Sequence, residues 1–260
     1  MLKTILSAIG VYKLYEKWLW HQVKNHEKPE HIAIILDGNR RWASEKDMPP
    51  WLGHKKGAEK VEQLLEWCLK LNVKSVTLYA FSTENFRRSP EEVEEIMRIA
   101  SEKFQKILTD ERIHKNRIRV KVIGRKHLLP KNLQKLIDEV EKATQNYDEH
   151  FLNIAFAYGG RAEIVDAAKK IAEKVQNKEL EPEEINEATF ERFLYTSHLP
   201  KQDPDLIIRT SGEERLSGFL LWQSAYSELC FLDVYWPDFR LIDLLRAVRT
   251  FQKRKRRFGA

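Results

Sequence analysis

HIAIILDGNRRW, residues 31–42, is the stretch of sequence that decides the fold. Its first six residues are apolar apart from His31, and a turn built on Asp37 and Gly38 follows them. A short apolar run that ends at a turn is typical of a strand buried on both faces of a sheet. Five later runs have the same character: SVTLYAF (75–81), RIRVKVI (117–123), FLNIAFA (151–157), DLIIR (205–209) and LCFLDV (229–234).

Amphipathic segments with helical spacing separate these runs, at about residues 57–71, 90–109, 131–147, 160–176 and 240–256. One helix start is marked by Ser89, which would cap the helix, and by Glu92, which would complete a capping box. Residues 177–204 read as helix and loop without a clear strand. Strands that alternate with helices predict one α/β domain over residues 31–260, with a mostly parallel six-stranded sheet flanked by helices.

The composition is that of a globular chain with a charge bias. Of 260 residues, 42% are hydrophobic, which excludes intrinsic disorder and fibrous repeats. Lys and Arg outnumber Asp and Glu by 45 to 39, so an anionic partner is expected: phosphate, nucleic acid or membrane. Cys68 and Cys230 lie in apolar surroundings, and we expect both to be reduced, without a disulfide or metal role.

Residues 1–30 are interpreted as an amphipathic N-terminal helical extension. Lys3, Lys13 and Glu16 interrupt the apolar positions of residues 1–23, so this stretch cannot span a bilayer. Aromatic residues stand where a signal peptide would have its cleavage site, so a cytoplasmic protein is expected. Two interpretations stay open: the helix contacts the inner face of the membrane, or it packs on its own domain or on a dimer partner.

Arginines follow five of the six predicted strands, at the edge where open parallel sheets bind ligands. With the Gly, Ser and Asn residues beside them, they would surround one crevice suited to polyphosphate, because the guanidinium fork pairs with phosphate oxygens. The chain has no GxGxxG, GxxxxGK[ST] or HExxH motif. The arginines are Arg40 and Arg41, Arg87 and Arg88, Arg125, Arg161, and Arg209 and Arg215.

Two acidic residues are candidates for binding a divalent metal. Asp37 ends an apolar strand, so it either binds Mg²⁺ that bridges to substrate phosphates or caps the next helix. Glu228 is either a second acidic contributor or half of an ordinary ion pair with an arginine. The segment Gly53-His54-Lys55-Lys56-Gly57 either contacts phosphate or simply starts a helix.

Six motifs stand in order between His31 and Gly259: HIAIILDGNRRWA, GHKKGAEK, TLYAFSTENFRRSPEEV, LNIAFAYGGRAEIVDA, DLIIRTSGEERLSGFLLWQSAYSEL and YWPDFR. Together they resemble the cis-prenyltransferases, the family of undecaprenyl and dehydrodolichyl diphosphate synthases. The resemblance implies the cis-prenyltransferase fold and repeated condensation of isopentenyl diphosphate onto an allylic diphosphate, such as farnesyl or geranylgeranyl diphosphate. It also implies Mg²⁺, a homodimer and a long Z-prenyl diphosphate product for lipid glycosyl carriers.

The resemblance assigns roles to individual residues as well. Asp37 and Asn39 would be catalytic, and Asp37 and Glu228 would bind the metal. The allylic diphosphate would be bound by Gly38, Arg40, Arg41, Trp42, His54, Ser82, Asn85 and Arg88. Isopentenyl diphosphate would be bound by Arg209, Arg215 and Ser217 and, from the end of a partner chain, by Arg257 and Gly259. Glu92 also falls on a family position, but the capping box accounts for it.

The sequence departs from the family at Pro50, where many members have arginine. Arg40 or Lys56 could supply the missing phosphate contact. An apolar stripe on the predicted helix at residues 90–109 is either the wall of a tunnel for the growing product or ordinary core. The stripe consists of Val93, Ile96, Met97, Phe104 and Leu108.

Two other functions compete with catalysis. A non-catalytic partner subunit of the same fold would be expected to lack the metal-binding aspartate, whereas Asp37 and Asn39 are both present. A nucleic-acid binder is suggested by the basic residues at 249–257. No RNA-binding motif accompanies that run, so no nucleic-acid partner is expected.

Overall fold

The computed structural model describes residues 11–254. Six strands form one sheet in the order β3-β4-β2-β1-β5-β6, and every neighbouring pair is parallel. The predicted fold class is confirmed, with a sheet that is wholly parallel. The strands are β1 (His31–Ile35), β2 (Ser75–Ser82), β3 (Ile118–Ile123), β4 (His150–Tyr158), β5 (Leu206–Arg209) and β6 (Glu228–Phe231).

Helices cover both faces of the sheet, as expected for parallel strands. The predicted helix at 57–71 begins earlier, at Pro50, because proline in the first turn is already held at a helical φ. The described helices are α1 (Val11–Lys24), α2 (Asn39–Ser44), α3 (Pro50–Lys70), α4 (Pro90–Ile107), α5 (Glu111–Lys115), α6 (Lys131–Thr144), α7 (Gly160–Gln176), α8 (Glu187–Glu191) and α9 (Leu241–Lys253).

Strand β1 lies at the centre of the sheet and is buried along its whole length. Ile32 and Ile34 pack into the larger apolar cluster on one face, while Ala33 and Ile35 pack into the smaller cluster on the other. The chain passes from β1 to β2 on one side and later places β5 on the other. The carboxyl end of β1 is therefore a topological switch point, where such sheets bind ligands.

The last predicted strand, 229–234, is shorter in the structure. It starts at Glu228 and ends at Phe231, because the following residues bond to the loop after β5. Ser211 N–H donates to the Val234 carbonyl at 2.8 Å, and Gly212 N–H donates to the Leu232 carbonyl at 3.0 Å. The end of the sheet thus holds the loop that follows β5.

Helix α1 packs against α9 of its own domain. Leu19 and Val23 on its inner face are fully buried, while Leu14 and Trp18 on its outer face are exposed. Packing on its own domain therefore accounts for the inner face of this helix, and residues 1–10 lie outside the described range. Among residues 11–254, none of the helices is long and apolar enough to cross a membrane.

Both cysteines are free thiols. Burial raises the pKa of the Cys68 thiol to about 12, so this side chain is inert core. The expectation that neither cysteine forms a disulfide within the described chain is confirmed.

Candidate active site

A polar cleft of about 1140 Å³ lies at the carboxyl edge of the sheet, between the loops that follow β1, β2, β4 and β5. Most of the residues singled out from the sequence line this one cleft. They are Asp37, Gly38, Asn39, Arg40, Arg41, His54, Ser82, Asn85, Arg88, Arg209, Arg215 and Ser217.

Asp37 and Arg209 form the central ion pair of the cleft. Arg209 Nη2 lies 2.7 Å from Asp37 Oδ2, and the guanidinium also donates to Ser217 Oγ at 2.8 Å and to the Arg215 carbonyl. Asp37 Oδ1 accepts from the Gly38 N–H at 2.7 Å. Burial raises the pKa of Asp37, but the charge and hydrogen bonds of Arg209 outweigh it and hold that pKa below its usual value. The carboxylate is therefore ionised near neutral pH.

Arg41 ties the β1 loop to the loop after β5. Its Nη2 donates to Ser211 Oγ at 2.6 Å, and its Nη1 lies 3.3 Å from Glu213 Oε1. Arg215 pairs with the same Glu213 carboxylate at the rim. These contacts hold two arginines beside the cleft with their positions already set.

Glu92 is a buried hub on a second wall of the cleft. Its Oε1 lies 3.0 Å from both His54 Nε2 and Arg88 Nη1, and 3.7 Å from Arg40 Nε. The capping-box prediction is half wrong: Ser89 Oγ does accept from the Glu92 N–H, but the Glu92 carboxylate turns to His54 and Arg88. The helix cap alone therefore does not account for Glu92.

His54 is neutral near pH 7. Burial lowers the pKa of its imidazole, and this effect and the charge of Arg88 outweigh the opposing effect of Glu92. Its ring thus joins the hub as a hydrogen-bonding group rather than as a cation.

The glycines of the Gly53–Gly57 segment serve helix packing. A Cβ on Gly53 would lie 2.0 Å from the Asn39 carbonyl oxygen, and one on Gly57 would lie 2.2 Å from Asn39 Oδ1. Lys56 turns to Glu59, 2.9 Å away, and does not line the cleft. Of the two residues proposed to offset Pro50, the structure therefore places only Arg40 at the site.

Two further predicted residues lie away from the cleft. Trp42 is a buried residue of α2, with Lys46 Nζ 4.6 Å from its ring centre, and it does not line the cleft. Arg125, from the strand-end arginines, pairs with Asp166 on α7 because edge strand β3 ends away from the switch point. The expectation that arginines after five strands meet in one crevice is wrong for this strand.

Glu228 is the first residue of β6 and lies at the amino end of the parallel strands, whereas the cleft lies at their carboxyl end. Arg209 is level with Phe231, three residues after Glu228, so Glu228 lies about 10 Å from the level of Arg209 along the strand direction. Its carboxylate is 2.6 Å from Arg254 Nη1, which is the ion-pair alternative considered above. The other two predicted contacts, Arg257 and Gly259, lie outside the described residues.

Arg161 is a cleft residue to which the resemblance assigned no role. It follows Gly159 and Gly160 in the first turn of α7 and lines the cleft. Within residues 11–254 it has no ion-pair partner, so its guanidinium is available to an anion. The signal in the sequence was its place after a strand and two glycines.

An apolar cavity of about 180 Å³ lies beside the cleft, between α3, α4 and the sheet. Leu36, Asn39, His54 and Ala80 line both spaces, so the two adjoin there. Of the predicted stripe, Ile96 and Phe104 line the cavity, while Val93, Met97 and Leu108 do not.

The loop that carries Ser217 is fixed from beneath by buried Glu163. The Glu163 carboxylate accepts from the Tyr158 hydroxyl, from Gln223 Nε2 at 3.1 Å and from the Tyr195 N–H at 2.8 Å. Tyr158 Oη in turn accepts from the Leu220 N–H at 3.2 Å. A buried carboxyl group whose hydrogen bonds are made inside the protein thus holds one wall of the cleft, and burial raises its pKa.

Known proteins match the chain over most of its length. The family model of undecaprenyl diphosphate synthases matches residues 35–259. The chain belongs to this family, the cis-prenyltransferases. A tritrans,polycis-undecaprenyl-diphosphate synthase (geranylgeranyl-diphosphate specific) of Methanopyrus kandleri is 55% identical over 254 residues, which are 98% of this chain and 93% of that protein. The protein of the same name from Methanocaldococcus jannaschii is 56% identical, over 98% of this chain and 91% of that one.

Solved structures agree with this assignment. Lavandulyl diphosphate synthase from Lavandula x intermedia, in complex with dimethylallyl diphosphate, superposes with a TM-score of 0.86 at 38% identity, over 92% of this chain and all of that one. A probable undecaprenyl diphosphate synthase from Campylobacter jejuni gives a TM-score of 0.73 at 32% identity, over 90% of this chain and 100% of that chain. This cis-prenyltransferase is thus an enzyme of prenyl transfer.

Proposed function

We propose that this cis-prenyltransferase condenses isopentenyl diphosphate repeatedly onto an allylic primer, giving a long-chain Z-polyprenyl diphosphate for a lipid glycosyl carrier. The observation that carries the proposal is the junction of the polar cleft with the apolar cavity at Asn39 and His54. A prenyl diphosphate has the same two parts, an anionic head and an apolar tail. The Methanopyrus and Methanocaldococcus relatives are named as specific for geranylgeranyl diphosphate, and we propose that primer here.

The wall formed by Arg40, Arg88 and His54 suits the head of the primer. Arg40 is largely exposed and 3.7 Å from its nearest carboxylate, so it can turn to a ligand, whereas Arg88 is held in place by Glu92. Breaking the allylic C–O bond leaves negative charge on the departing diphosphate. Guanidinium groups already in position stabilise that charge as it develops.

The opposite wall suits isopentenyl diphosphate. Arg215 and Ser217 lie on the loop after β5, and Arg161 faces the same cleft from α7. A second diphosphate held beside the first would bring the alkene of isopentenyl diphosphate close to the allylic carbon. Such pairing converts a bimolecular reaction into a nearly unimolecular one.

Asp37 fits a Mg²⁺ site. Its carboxylate is ionised, lies in the cleft and offers hard oxygen donors, and Mg²⁺ is commonly held by one or two carboxylates together with substrate phosphates. Within residues 11–254, no three His, Cys, Asp or Glu side chains are grouped to hold a metal, so diphosphate oxygens would complete the coordination. When bound, Mg²⁺ would neutralise charge on the diphosphate.

Asn39 lies where the head and tail of the primer would meet. Its amide N–H donates to the Leu36 carbonyl at 3.0 Å, which fixes the side chain. Its Oδ1 is buried, lies against Gly57 and has no hydrogen-bond partner among the described residues. An unpaired buried acceptor is rare, and at this position it supports a catalytic role for Asn39.

The proposal includes a homodimer and contact with the inner face of the membrane from the cytoplasm. Edge strand β6 carries Glu228 on the side away from its own cleft, so a metal role for Glu228 would require a second chain. Leu14 and Trp18 are exposed on the outer face of α1, with the Arg249 guanidinium 4.6 Å from the Trp18 ring centre. An apolar face beside basic residues suits an anionic bilayer surface.

The test is elongation by the purified protein. Labelled isopentenyl diphosphate is supplied with Mg²⁺ and either geranylgeranyl or farnesyl diphosphate, and the products are separated by chain length. Labelled polyprenyl products that form faster from geranylgeranyl diphosphate and stop on chelation of the metal support the proposal. The proposal would be contradicted if no extended product formed and the protein bound an oligonucleotide instead.

A further inference from the structure

The motif YWPDFR, residues 235–240, packs against the loop after β1 but does not line the cleft. It follows edge strand β6 and contains a short helical turn at Trp236–Asp238. Trp236 is fully buried, and its ring stacks on that of Phe239 with ring centres 5.3 Å apart. A buried tryptophan normally finds a hydrogen-bond partner for its indole N–H. Both the indole and the backbone N–H of Trp236 have such a partner near the cleft.

The backbone N–H of Trp236 holds the loop after β1. It donates to the Asp37 carbonyl at 3.0 Å. The Thr210 hydroxyl donates to the same carbonyl at 2.7 Å and accepts from the Asp37 N–H at 3.0 Å. The peptide groups on both sides of Asp37 are thus fixed by residues that follow β5 and β6, while its carboxylate lies in the cleft.

The indole N–H of Trp236 binds helix α3. It donates to the Gly57 carbonyl at 2.8 Å in a buried hydrogen bond. A Cβ on Gly57 would lie 2.9 Å from Trp236 Cδ1 and 2.2 Å from Asn39 Oδ1, so both side chains pack directly on this glycine. All three residues line the apolar cavity, and Asn39 lines the cleft as well. Trp236 therefore lies beside the residue at which the head and tail of a primer would meet.

Tyr235 packs on the next residue of the same loop. Gly38 has a φ of 100°, and a Cβ there would lie 2.7 Å from Tyr235 Cδ1. The Tyr235 hydroxyl donates to Glu45 Oε1 at 2.7 Å, at the end of α2. The loop at residues 37–39 is thus held between α3 and the two aromatic residues of the motif.

We infer that Trp236 is a positioning residue for prenyl transfer, which fixes Asp37 and Asn39 relative to α3 through its two N–H groups. The inference rests on the proposed function, because the roles of Asp37 and Asn39 belong to it. Helix α3 also carries His54 of the cleft wall, so the two hydrogen bonds set the loop at residues 37–39 against that wall. A misplacement of about 1 Å at a reacting group can cost about 10²-fold in rate.

The inference predicts an effect on kcat rather than on substrate affinity. Among the described residues, Trp236 forms no hydrogen bond with an arginine of the cleft. The cationic groups that suit the two diphosphates therefore keep their contacts when the indole N–H is removed. A change that lowers kcat and leaves KM as it was has removed an interaction that matters only in the transition state.

The sharpest variant removes only the indole N–H. The benzothienyl isostere of tryptophan has sulfur in place of that N–H and almost the same shape, and nonsense suppression can insert it in place of Trp236. Trp236→Phe removes the same donor with a smaller ring. The matched control is Trp222→Phe, because the Trp222 indole N–H donates to Glu191 Oε1 at 3.3 Å and the residue lines neither the cleft nor the cavity.

The first measurement is steady-state kinetics with geranylgeranyl and isopentenyl diphosphate, well below the thermal midpoint of each protein. We expect the isostere and Trp236→Phe to lower kcat at least about tenfold and to leave both KM values within about twofold of the wild type. Trp222→Phe should leave both constants unchanged. A role in stability alone would lower the thermal midpoint but not the kcat of the folded enzyme.

The second measurement is hydrogen exchange, which does not depend on turnover. Amide exchange in a peptide that covers residues 36–42 should be at least about tenfold faster with the isostere than in the wild type, because Trp236 has then lost its bond to α3 and holds the loop less firmly. A peptide that covers β5 should exchange as in the wild type, since its pairing with β1 and β6 is untouched.

The outcomes separate this inference from the proposed function. An isostere with the wild-type kcat would overturn the inference, because the hydrogen bond would then be dispensable. A fall in kcat with an equal rise in both KM values, or the same fall in Trp222→Phe, would overturn it as well. A wild type that forms no extended product refutes the proposed function, and unchanged exchange at residues 36–42 would still show that Trp236 does not hold the loop.

Discussion

Replacing Asp37 separates its electrostatic role in the cleft from its role in the reaction. The Arg209 side chain is only 6% exposed, and Asp37 is its only carboxylate partner among the described residues. Asp37→Ala would leave that guanidinium charge buried, with Ser217 Oγ and the Arg215 carbonyl as neutral acceptors. Breaking a buried pair costs about 3–5 kcal/mol, and since Asp37 is partly exposed we expect about 3 kcal/mol.

That loss should lower the thermal midpoint by about 6–12 °C for a chain of this size. Asp37→Asn keeps an oxygen that accepts from Arg209, so its midpoint should fall by about half as much. Both variants should lose prenyl transfer by at least about 10²–10³-fold, because each loses the ionised carboxylate that would hold Mg²⁺ at the reacting diphosphate. Thermal unfolding followed by circular dichroism and initial rates with labelled isopentenyl diphosphate measure the two effects separately.

A double-mutant cycle with Arg209→Met tests the ion pair directly. We expect a coupling free energy of about 2 kcal/mol or more between the two sites at neutral pH. The pKa of Asp37 is depressed in the folded state, so its contribution to stability is complete above the ordinary value of 3.8 and is lost as the pH falls below it. A coupling below about 0.5 kcal/mol, or wild-type rates in Asp37→Asn, would refute the reasoning.

Three further predictions follow from buried groups around the cleft and the sheet. Glu92→Gln should lower kcat about tenfold, because Arg88 loses the carboxylate that fixes its position. Ser89→Ala should instead cost about 1 kcal/mol of stability and leave kcat unchanged; steady-state kinetics and thermal unfolding check both. Glu163→Ala should raise the KM for isopentenyl diphosphate more than it lowers kcat, since it frees the loop of the second clamp; equal effects on both constants would contradict this. Burial lowers the pKa of both His31 and His198 from 6.5 to about 4, so each must gain a proton on unfolding between these pH values. The thermal midpoint should therefore fall as the pH drops from 6.5 towards 4. A thermal midpoint that does not change over this range would show that neither histidine is kept neutral by the fold.

The fold could be predicted because its signals are local. Five of the six strands carry apolar runs within a residue or two of their final bounds, and arginines after four of the strands line the cleft at the carboxyl edge of the sheet. The failures have different causes. Arg125 is of the right type at the right spacing, but it turns to Asp166, which only the packing brings close. Lys56 pairs with Glu59, three residues along its own helix, so that contact was open to prediction from the sequence.

The cluster around Glu92 shows another limit of prediction from the sequence. The position of Glu92 three residues after Ser89 is enough for a capping box, so the pattern offered a complete local explanation. Its contact with Arg88 is local, four residues away, but its contact with His54 depends on how α3 lies against α4. A local rule that is satisfied therefore does not exclude a long-range role for the same side chain.

The arginines of the cleft divide by what already holds them. Arg209 and Arg88 are bound by Asp37 and Glu92, so they carry fixed positive charge that needs no rearrangement when a substrate enters. Arg161 has no ion-pair partner in the described part of the chain, and it can move to a ligand without breaking a contact in the protein. Fixed cations stabilise charge that develops during the reaction, because their orientation is set beforehand. Movable cations instead add affinity for the ground state. Arg161→Gln should therefore raise the KM for isopentenyl diphosphate with little change in kcat, while Arg88→Gln should lower kcat itself. Steady-state kinetics with varied isopentenyl diphosphate distinguish the two effects.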